Sequence, residues 1–423
     1  MNRARTPRHL YVHVPFCRAR CDYCEFYSLP VGERPGPKLL DRYVEAVLAE
    51  WRTEAARLAV RRLETVFIGG GTPSLLGPAR LDRVLTVLEP LLTAHAEVTV
   101  ETNPEDVDAA FAAWVAARGI RISLGVQSFQ RAQRVALGRH AASAGATADP
   151  SASAAAADPA AAFARLRAAG VANLSVDLIF AIPGQSEADL EADLAAVAAL
   201  RPDHVSWYEL GVIAGTALAS RLGGEAAITS ADEADRQAEL YRRVVRGLGR
   251  LGYDWYEVSN FALPGRRARH NLAYWRGRAY LGLGPSAVST VGDERWRNLP
   301  DAAAYMEAML GAGPSGASAP APTSPAPPAA VAPTPLAAAA PTPPREHEHL
   351  GQAARARERL LLAARIGARV PLAELEPYID SSALTALAAS GYISLRGGTL
   401  LVTRKGRYVA TAVCVRLFRD TCL

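Results

Sequence analysis

A chain of 423 residues, half of them hydrophobic, is long enough for one large domain and a smaller one. The formal charge of +5 is carried almost entirely by arginine, with only Lys38 and Lys405 as lysines; it is dispersed among acidic residues and argues against a clustered nucleic-acid face. Five cysteines, three within eight residues and two near the C-terminus, exclude a disulfide framework and point to a metal or cluster site in a reducing compartment. No apolar signal core follows the basic residues 1–8, and no apolar run reaches the roughly 20 residues of a spanning helix. A cytoplasmic protein without an integral membrane segment is expected.

Residues 10–14 predict a strand, and apolar residues at helical spacing predict a helix over 39–58. A strand over 65–68 runs into Gly69-Gly70-Gly71. Next come a helix over 78–92, a strand over 97–101, a helix over 107–118 and a strand over 121–127. A helix ending at 163–169, a strand over 174–180, a helix over 187–200 and a strand over 204–210 continue the alternation. A long helix over 233–251 and a strand over 255–259 close it. Repeated βα units predict an α/β fold with parallel strands, as a full or partial (β/α) TIM-type barrel or a doubly wound sheet. In either, the chemistry sits at the C-terminal ends of the strands.

Two stretches break the pattern. Residues 141–162 are almost all Ala, Ser, Asp, Gly and Pro and predict an inserted low-complexity loop, with helix possible in its Ala-rich end. Residues 311–346 are dominated by Pro and Ala and predict a disordered linker. The expected organisation is a barrel over 8–260, a segment over 261–310 completing its core, the linker, and a unit over 347–423. That last unit reads as helices over 354–366, 372–375 and 382–390, a hairpin over 391–402 and a closing helix over 405–418, a small winged-helix-like α+β domain. Its expected role is structural or docking, because Arg404, Lys405 and Arg407 alone make no basic recognition face.

The strongest signal is Cys17-Arg-Ala-Arg-Cys21-Asp-Tyr-Cys24. Thiolates hold iron–sulfur clusters or zinc. Three of them leave one iron of a 4Fe–4S cubane open, and S-adenosylmethionine (SAM) can fill that position and be cleaved by an electron from the cluster. A zinc site with His9 or His13 as fourth ligand is the alternative, against which stands the lack of a second Cys pair. Spacing and flanks, with Phe16 and Tyr23, resemble the radical SAM superfamily. The wider stretch from Tyr11 to Tyr27 resembles its HemN/HemW branch, which holds an oxygen-independent coproporphyrinogen III dehydrogenase and a haem chaperone. The resemblance covers most of residues 8–300 and, more loosely, the C-terminal unit.

The resemblance implies a SAM pocket. Gly69-Gly70-Gly71-Thr72 follows a strand, and glycine lets backbone approach a ligand closely; a plain βα turn is the other reading. Glu101 and Gln127 end strands, Arg139 lies in Leu137-Gly-Arg-His140, and Asp177 lies within Leu174-Ser-Val-Asp-Leu. Each alone reads as a surface or capping residue. Together with Tyr11, Tyr23, Gly70, Gly71 and Thr72 they match the branch's SAM contacts in order. The low-complexity stretch departs from the family spacing after Arg139 and puts His140 in doubt.

Within the branch, three features resemble HemW more than the dehydrogenase. The dehydrogenase carries a fourth cysteine two positions after the third, where this chain has Phe26. Only 16 residues precede Cys17. The run His270-Asn271-Leu-Ala-Tyr274-Trp275 resembles a motif of HemW. The implied function is haem binding and delivery to an acceptor protein, such as one of the respiratory chain, with an electron donor for the cluster. A radical oxidoreductase acting on a tetrapyrrole such as coproporphyrinogen III is the alternative. His270, Tyr274 and Trp275 are candidate haem contacts, with Arg266, Arg267 and Arg269 nearby for propionates. The competing reading makes the aromatics core residues and His270 and Asn271 a cap against the barrel mouth. Cys414, in Ala-Val-Cys-Val, reads as a small core residue, and Cys422 as a terminal one.

Overall fold

The computed structural model describes residues 6–33, 35–139, 158–223, 231–311 and 341–418. Most of the low-complexity stretch, His140, the bulk of the linker and Cys422 lie outside them. Six strands carry the predicted rhythm: β1 (His9–Val14), β2 (Leu63–Gly70), β3 (Leu92–Thr102), β4 (Arg121–Gln127), β5 (Leu174–Phe180) and β6 (His204–Glu209). They pair in parallel and in chain order, with no reversal of the kind that defines a doubly wound sheet. The helices between them include α1 (Pro37–Arg57), α2 (Gly77–Leu88), α3 (Ala109–Arg118), α4 (Pro159–Ala168) and α5 (Glu187–Leu200), and the long helix α6 (Ala231–Arg250) follows β6. Period-two alternation sends Leu10, Val12, Val66, Ile68, Ile122, Leu124 and Val176 into the helix-facing core. The other face lines a polar lumen with His9, Thr65, Thr99, Arg121, Ser123, Asp177 and His204.

The barrel does not close. Beyond β6 the sheet ends in the antiparallel pair β7 (Asp254–Glu257) and β8 (Asn260–Ala262). On the other side of β1 it gains β9 (Tyr280–Leu283), parallel, then β10 (Val288–Val291), β11 (Glu294–Asn298) and β12 (Arg345–His349), antiparallel. The fold is a partial TIM-type barrel in a 12-stranded sheet.

Several predicted boundaries move. The helix expected over 78–92 stops at Leu88, because Pro90 lacks the amide that would continue it; a 3-10 turn follows and β3 starts at Leu92. Within the expected 141–162 insertion, Asp158 caps α4, so the Ala-rich end is the start of a helix. The linker's expected end at 346 is corrected by β12. Arg345–His349 pairs with β11, and the Arg345 guanidinium is buried between Glu50 (2.9 Å) and Glu54 (2.7 Å) of α1. Those residues belong to the main sheet rather than to linker or C-terminal unit.

The C-terminal unit has its own core, including Leu360, Val370, Leu400 and Cys414. Helices Gln352–Ile366 and Ser381–Ala389 and a three-stranded sheet of Arg369–Pro371, Ile393–Arg396 and Thr399–Val402 give it a winged-helix-like form. The expected closing helix over 405–418 is two helices, Arg404–Arg407 and Ala410–Leu417. The first is capped by Thr403 and held on the hairpin through Tyr392 O, while the second packs Val413 and Leu417 into the unit's core.

Candidate functional site

The cysteine loop leaves β1 at its C-terminal end. Short parallel strands Phe16–Cys17 and Leu29–Pro30 close it at the base. Cys17, Cys21 and Cys24 are each partly exposed and none is in a disulfide. The loop is anchored by residues that sequence reasoning missed. Arg18 pairs with Asp106, whose other oxygen accepts from Ser74 Oγ at 2.6 Å. Asp22 exchanges backbone hydrogen bonds with Leu137 and Leu218, and its carboxylate pairs with Arg221.

Backbone approaches the thiols closely. A Cβ on Gly71 would lie 2.6 Å from Phe16 O and 3.0 Å from Cys17 Sγ; on Gly70, with φ +111°, it would lie 2.7 Å from His13. Thr72 Oγ1 donates to Cys17 Sγ at 3.6 Å and accepts from Asn103 Nδ2 at 3.1 Å. Asn103 Oδ1 in turn accepts from Arg139 Nη2 at 2.5 Å. A Cβ on Gly125 would sit 3.2 Å from both Asn103 and Gln127 and 3.5 Å from Arg139, so a glycine inside β4 is what admits this cluster. Burial pushes all three thiols up, Cys24 to about 11, and the Arg139 charge opposes that rise at Cys17 and Cys21.

The donor set fits a cluster: three soft ligands on one loop, with glycine backbone and an arginine beside them. Among the described residues no three His, Cys, Asp or Glu side chains converge on a single-ion centre. His13 has both ring nitrogens engaged, Nδ1 with Tyr11 OH at 3.0 Å and Nε2 with Tyr27 O at 2.9 Å. It is a brace between strand and loop.

The predicted SAM residues gather at this end of the barrel. Glu101 Oε2 accepts from Gly70 N at 3.0 Å; burial and the Asp177 charge push its carboxyl up to about 8. Asp177 accepts from Ser123 Oγ at 2.9 Å and is likewise raised by burial. Tyr23 lies beside Arg139, and Gln127 adopts φ +66° at the end of β4. Phe26, where the dehydrogenase pattern has a cysteine, is 61% exposed.

The His270–Trp275 run sits elsewhere. It forms helix α7 (Arg269–Trp275) against the N-terminal ends of the strands. Glu97 of β3 accepts from the Arg269 and His270 amides, both at 2.9 Å, and holds the helix start. The His270 ring is 2% exposed, stacked on Phe67 at 5.3 Å and edge-on to Tyr274 at 4.8 Å. Its Nδ1 shares Thr65 Oγ1 with His9 Nδ1, at 2.7 and 3.0 Å. Its Nε2, with Thr99 Oγ1 and Arg121 Nε, is a buried polar atom without a partner among the described residues. Trp275 is covered by the Arg365 guanidinium at 4.3 Å. Burial lowers His270 to about 3 and His9 to about 4. The motif thus stops the base of the barrel, and the structure does not bring it together with the cysteine site.

A family model described as the radical SAM superfamily matches residues 11–197. The chain shares its fold with the radical SAM enzyme HemN, a coproporphyrinogen III oxidase of Escherichia coli, at TM-score 0.74 and 21% identity over 98% of this chain and 90% of that one. It is 36% identical to the haem chaperone HemW of Escherichia coli over 67% of this chain and 70% of that one. It is 36% identical to the haem chaperone HemW of Mycobacterium tuberculosis over 411 residues, 96% of this chain and 94% of that one. Matched at that identity almost from end to end, and with its cysteine loop at the mouth of a partial barrel, the chain belongs to the HemW family of the radical SAM superfamily.

Proposed function

We propose that this chain is a haem chaperone: it takes up haem and hands it to an acceptor protein, and it carries a 4Fe–4S cluster with SAM at the C-terminal end of its barrel. The observation that carries this reading is the 36% identity to a HemW over 96% of the chain. Cys17, Cys21 and Cys24 are assigned as the cluster ligands. The exposed phenyl ring of Phe26 in place of a further thiol sets the site apart from the dehydrogenase pattern.

When bound, the cluster supplies the electron that cleaves the sulfonium bond of SAM. The chain's own residues bind and orient. Gly70, Gly71 and Thr72 offer backbone to the methionine end of SAM, beside Cys17. Glu101 and Asp177 are carboxylates for its amino group and ribose, and both are held by hydrogen bonds before ligand arrives. Arg139 is a cation for the carboxylate, fixed by Asn103, while Tyr11, Tyr23 and Gln127 border the same space. Helix α7 is assigned to the border of the haem site through the partly exposed Tyr274 and Trp275, with the buried His270 ring holding the helix on the barrel. The proposed setting is the cytoplasm, with an acceptor of the respiratory chain and a separate electron donor. No helix among the described residues is long and apolar enough to cross a membrane.

The test is anaerobic protein reconstituted with iron and sulfide, reduced, and given SAM with either haem or coproporphyrinogen III. Stable haem uptake, transfer to an apo-haem protein and no decarboxylated product support the reading. Decarboxylated product without haem uptake overturns it in favour of a tetrapyrrole oxidoreductase.

A further inference from the structure

Arg121 is the only arginine or lysine in β1 to β6. It opens β4, the strand between β3 and β5, and is 4% exposed. Its side chain makes no hydrogen bond or ion pair among the described residues, and its Nε is a buried donor without a partner there. A guanidinium cannot shed its proton to relieve such a position. A buried charge with no opposite charge near it is strongly destabilising, so the lumen must supply an anion.

The strand register says which. Ser123, two residues further along the same face, stands opposite Glu101 of β3 and donates to Asp177 of β5 at 2.9 Å. Thr99, opposite Arg121, lies two residues before Glu101, and its hydroxyl is also buried without a partner among the described residues. Arg121 is thus one step of two residues below both carboxylates, about 7 Å along the strand, which the length of an arginine side chain spans. Burial and the Asp177 charge push Glu101 up to about 8, and burial raises Asp177; Arg121 opposes both rises, whereas Arg139 acts on Asp177 alone. Tyr11 and His13 of β1 and Tyr208 of β6 also line this end, and burial favours the neutral form of each. Lower in the lumen, burial and the Arg121 charge lower His204 and His270, so neither ring supplies a second cation.

We propose that Arg121 is a positioning residue of the SAM site: from beneath, its guanidinium is the counter-charge that lets Glu101 and Asp177 face the amino group and ribose of SAM as anions. The inference rests on the SAM reading of this end of the barrel and adds the residue that prepares its carboxylates. Without ligand, Glu101 holds its proton up to about pH 8, and the ammonium of SAM favours the ionised form. SAM affinity in wild type therefore rises with pH and levels off near 8. Removing the guanidinium withdraws the cation that favours ionisation, so the rise extends to higher pH.

The test is equilibrium titration of the reconstituted full chain with SAM, from neutral to alkaline pH, in wild type, Arg121→Met, Arg121→Gln and Arg121→Lys. Infrared difference spectra of the same chains without SAM follow the protonated carboxyl band, which Glu101→Gln identifies. Cluster content reports folding, and Arg121→Gln repeats the test should Arg121→Met fail to fold. The expected result is SAM affinity at least about tenfold weaker in Arg121→Met at neutral pH, a gap that narrows as pH rises, and a carboxyl band that titrates later than in wild type. Arg121→Lys behaves as wild type. An affinity loss of equal size at every pH, or Arg121→Lys behaving as Arg121→Met, makes Arg121 a structural residue and overturns the inference. Unchanged affinity with an unmoved carboxyl band also overturns it. A wild-type chain with a full cluster that binds no SAM overturns the SAM reading itself.

Discussion

The two ends of the half-barrel stand on the same six strands and are finished in opposite ways. At the C-terminal ends, side chains are withheld. Gly70, Gly71 and Gly125 stand where a Cβ would strike His13, the Cys17 thiol or the Asn103–Gln127–Arg139 group, so room is kept beside soft ligands and charges. At the N-terminal ends, rings fill the space. Phe67 stacks on His270, whose Nδ1 meets the Thr65 hydroxyl; His270, Tyr274 and Tyr280 pack edge to face, and helix α7 is bolted on by Glu97. The contrast teaches why one motif reads as chemistry and the other as closure. A cofactor needs donors with space between them, and a barrel base needs the space removed.

The largest effect that would break the comparison is at the thiols. Replacing any of Cys17, Cys21 or Cys24 with Ser is expected to abolish a stable 4Fe–4S cluster, read by absorbance and electron paramagnetic resonance after anaerobic reconstitution. Cys414→Ser, in the separate core of the C-terminal unit, is expected to leave the cluster intact. A full cluster in any of the first three variants sinks the assignment. Next is Gly71→Ala. Its new methyl meets a backbone carbonyl that cannot rotate away, so a loss of about 1–3 kcal/mol and a distorted cluster spectrum are expected, checked by denaturant unfolding and absorbance.

A smaller effect sharpens the comparison through pH. In the chain without SAM, Glu101 has its folded value raised to about 8, so its contribution is full below the unfolded value of about 4.5 and is lost as pH rises towards 8. His270, lowered to about 3, contributes fully above about 6.5 and loses that contribution as pH falls. Between pH 5 and 6.5 the two ends therefore pull in opposite directions. Thermal midpoints across that window should fall less on acidification in His270→Gln than in the parent, and fall more in Glu101→Gln. Parallel curves for all three proteins would show that neither group is held as its surroundings require. The smallest effect belongs to residues 312–340. Replacing them with a short Gly/Ser segment, with Arg345 and the residues after it retained, should leave cluster content and SAM affinity unchanged. Loss of a reconstitutable cluster would make that segment part of the fold.

Much of the site was legible because its residues are local in sequence. Three cysteines within eight residues, a glycine run after a strand and a carboxylate at a strand end each announce themselves by spacing. The supports did not. Arg18 meets Asp106 across 88 positions, and Asn103 joins Thr72 to Arg139 from a third strand end. Asn103 carried one usable signal, its place two residues past Glu101 at a predicted strand end, and Gly125 another, as a glycine inside a strand.

The apolar pattern by itself determined β1 to β6 and helices α1, α2, α3 and α5, since burial on one face is a property each segment carries alone, while the short helix Arg131–Ala136 went unpredicted. It determined the polar lumen too, through the residues left on the opposite face. Only the tertiary structure decided where the sheet stops. Strands β9 to β12 are short, and β12 reads Arg345-Glu-His-Glu-His349, with no apolar residue to mark it. What makes it a strand is pairing with β11 and an arginine buried against Glu50 and Glu54, nearly 300 residues away in sequence. The same holds for His270. Its neighbours in sequence suggested a ligand and a plug equally, and the ring's burial between Phe67 and Tyr274 is a fact about other strands, which no local pattern encodes.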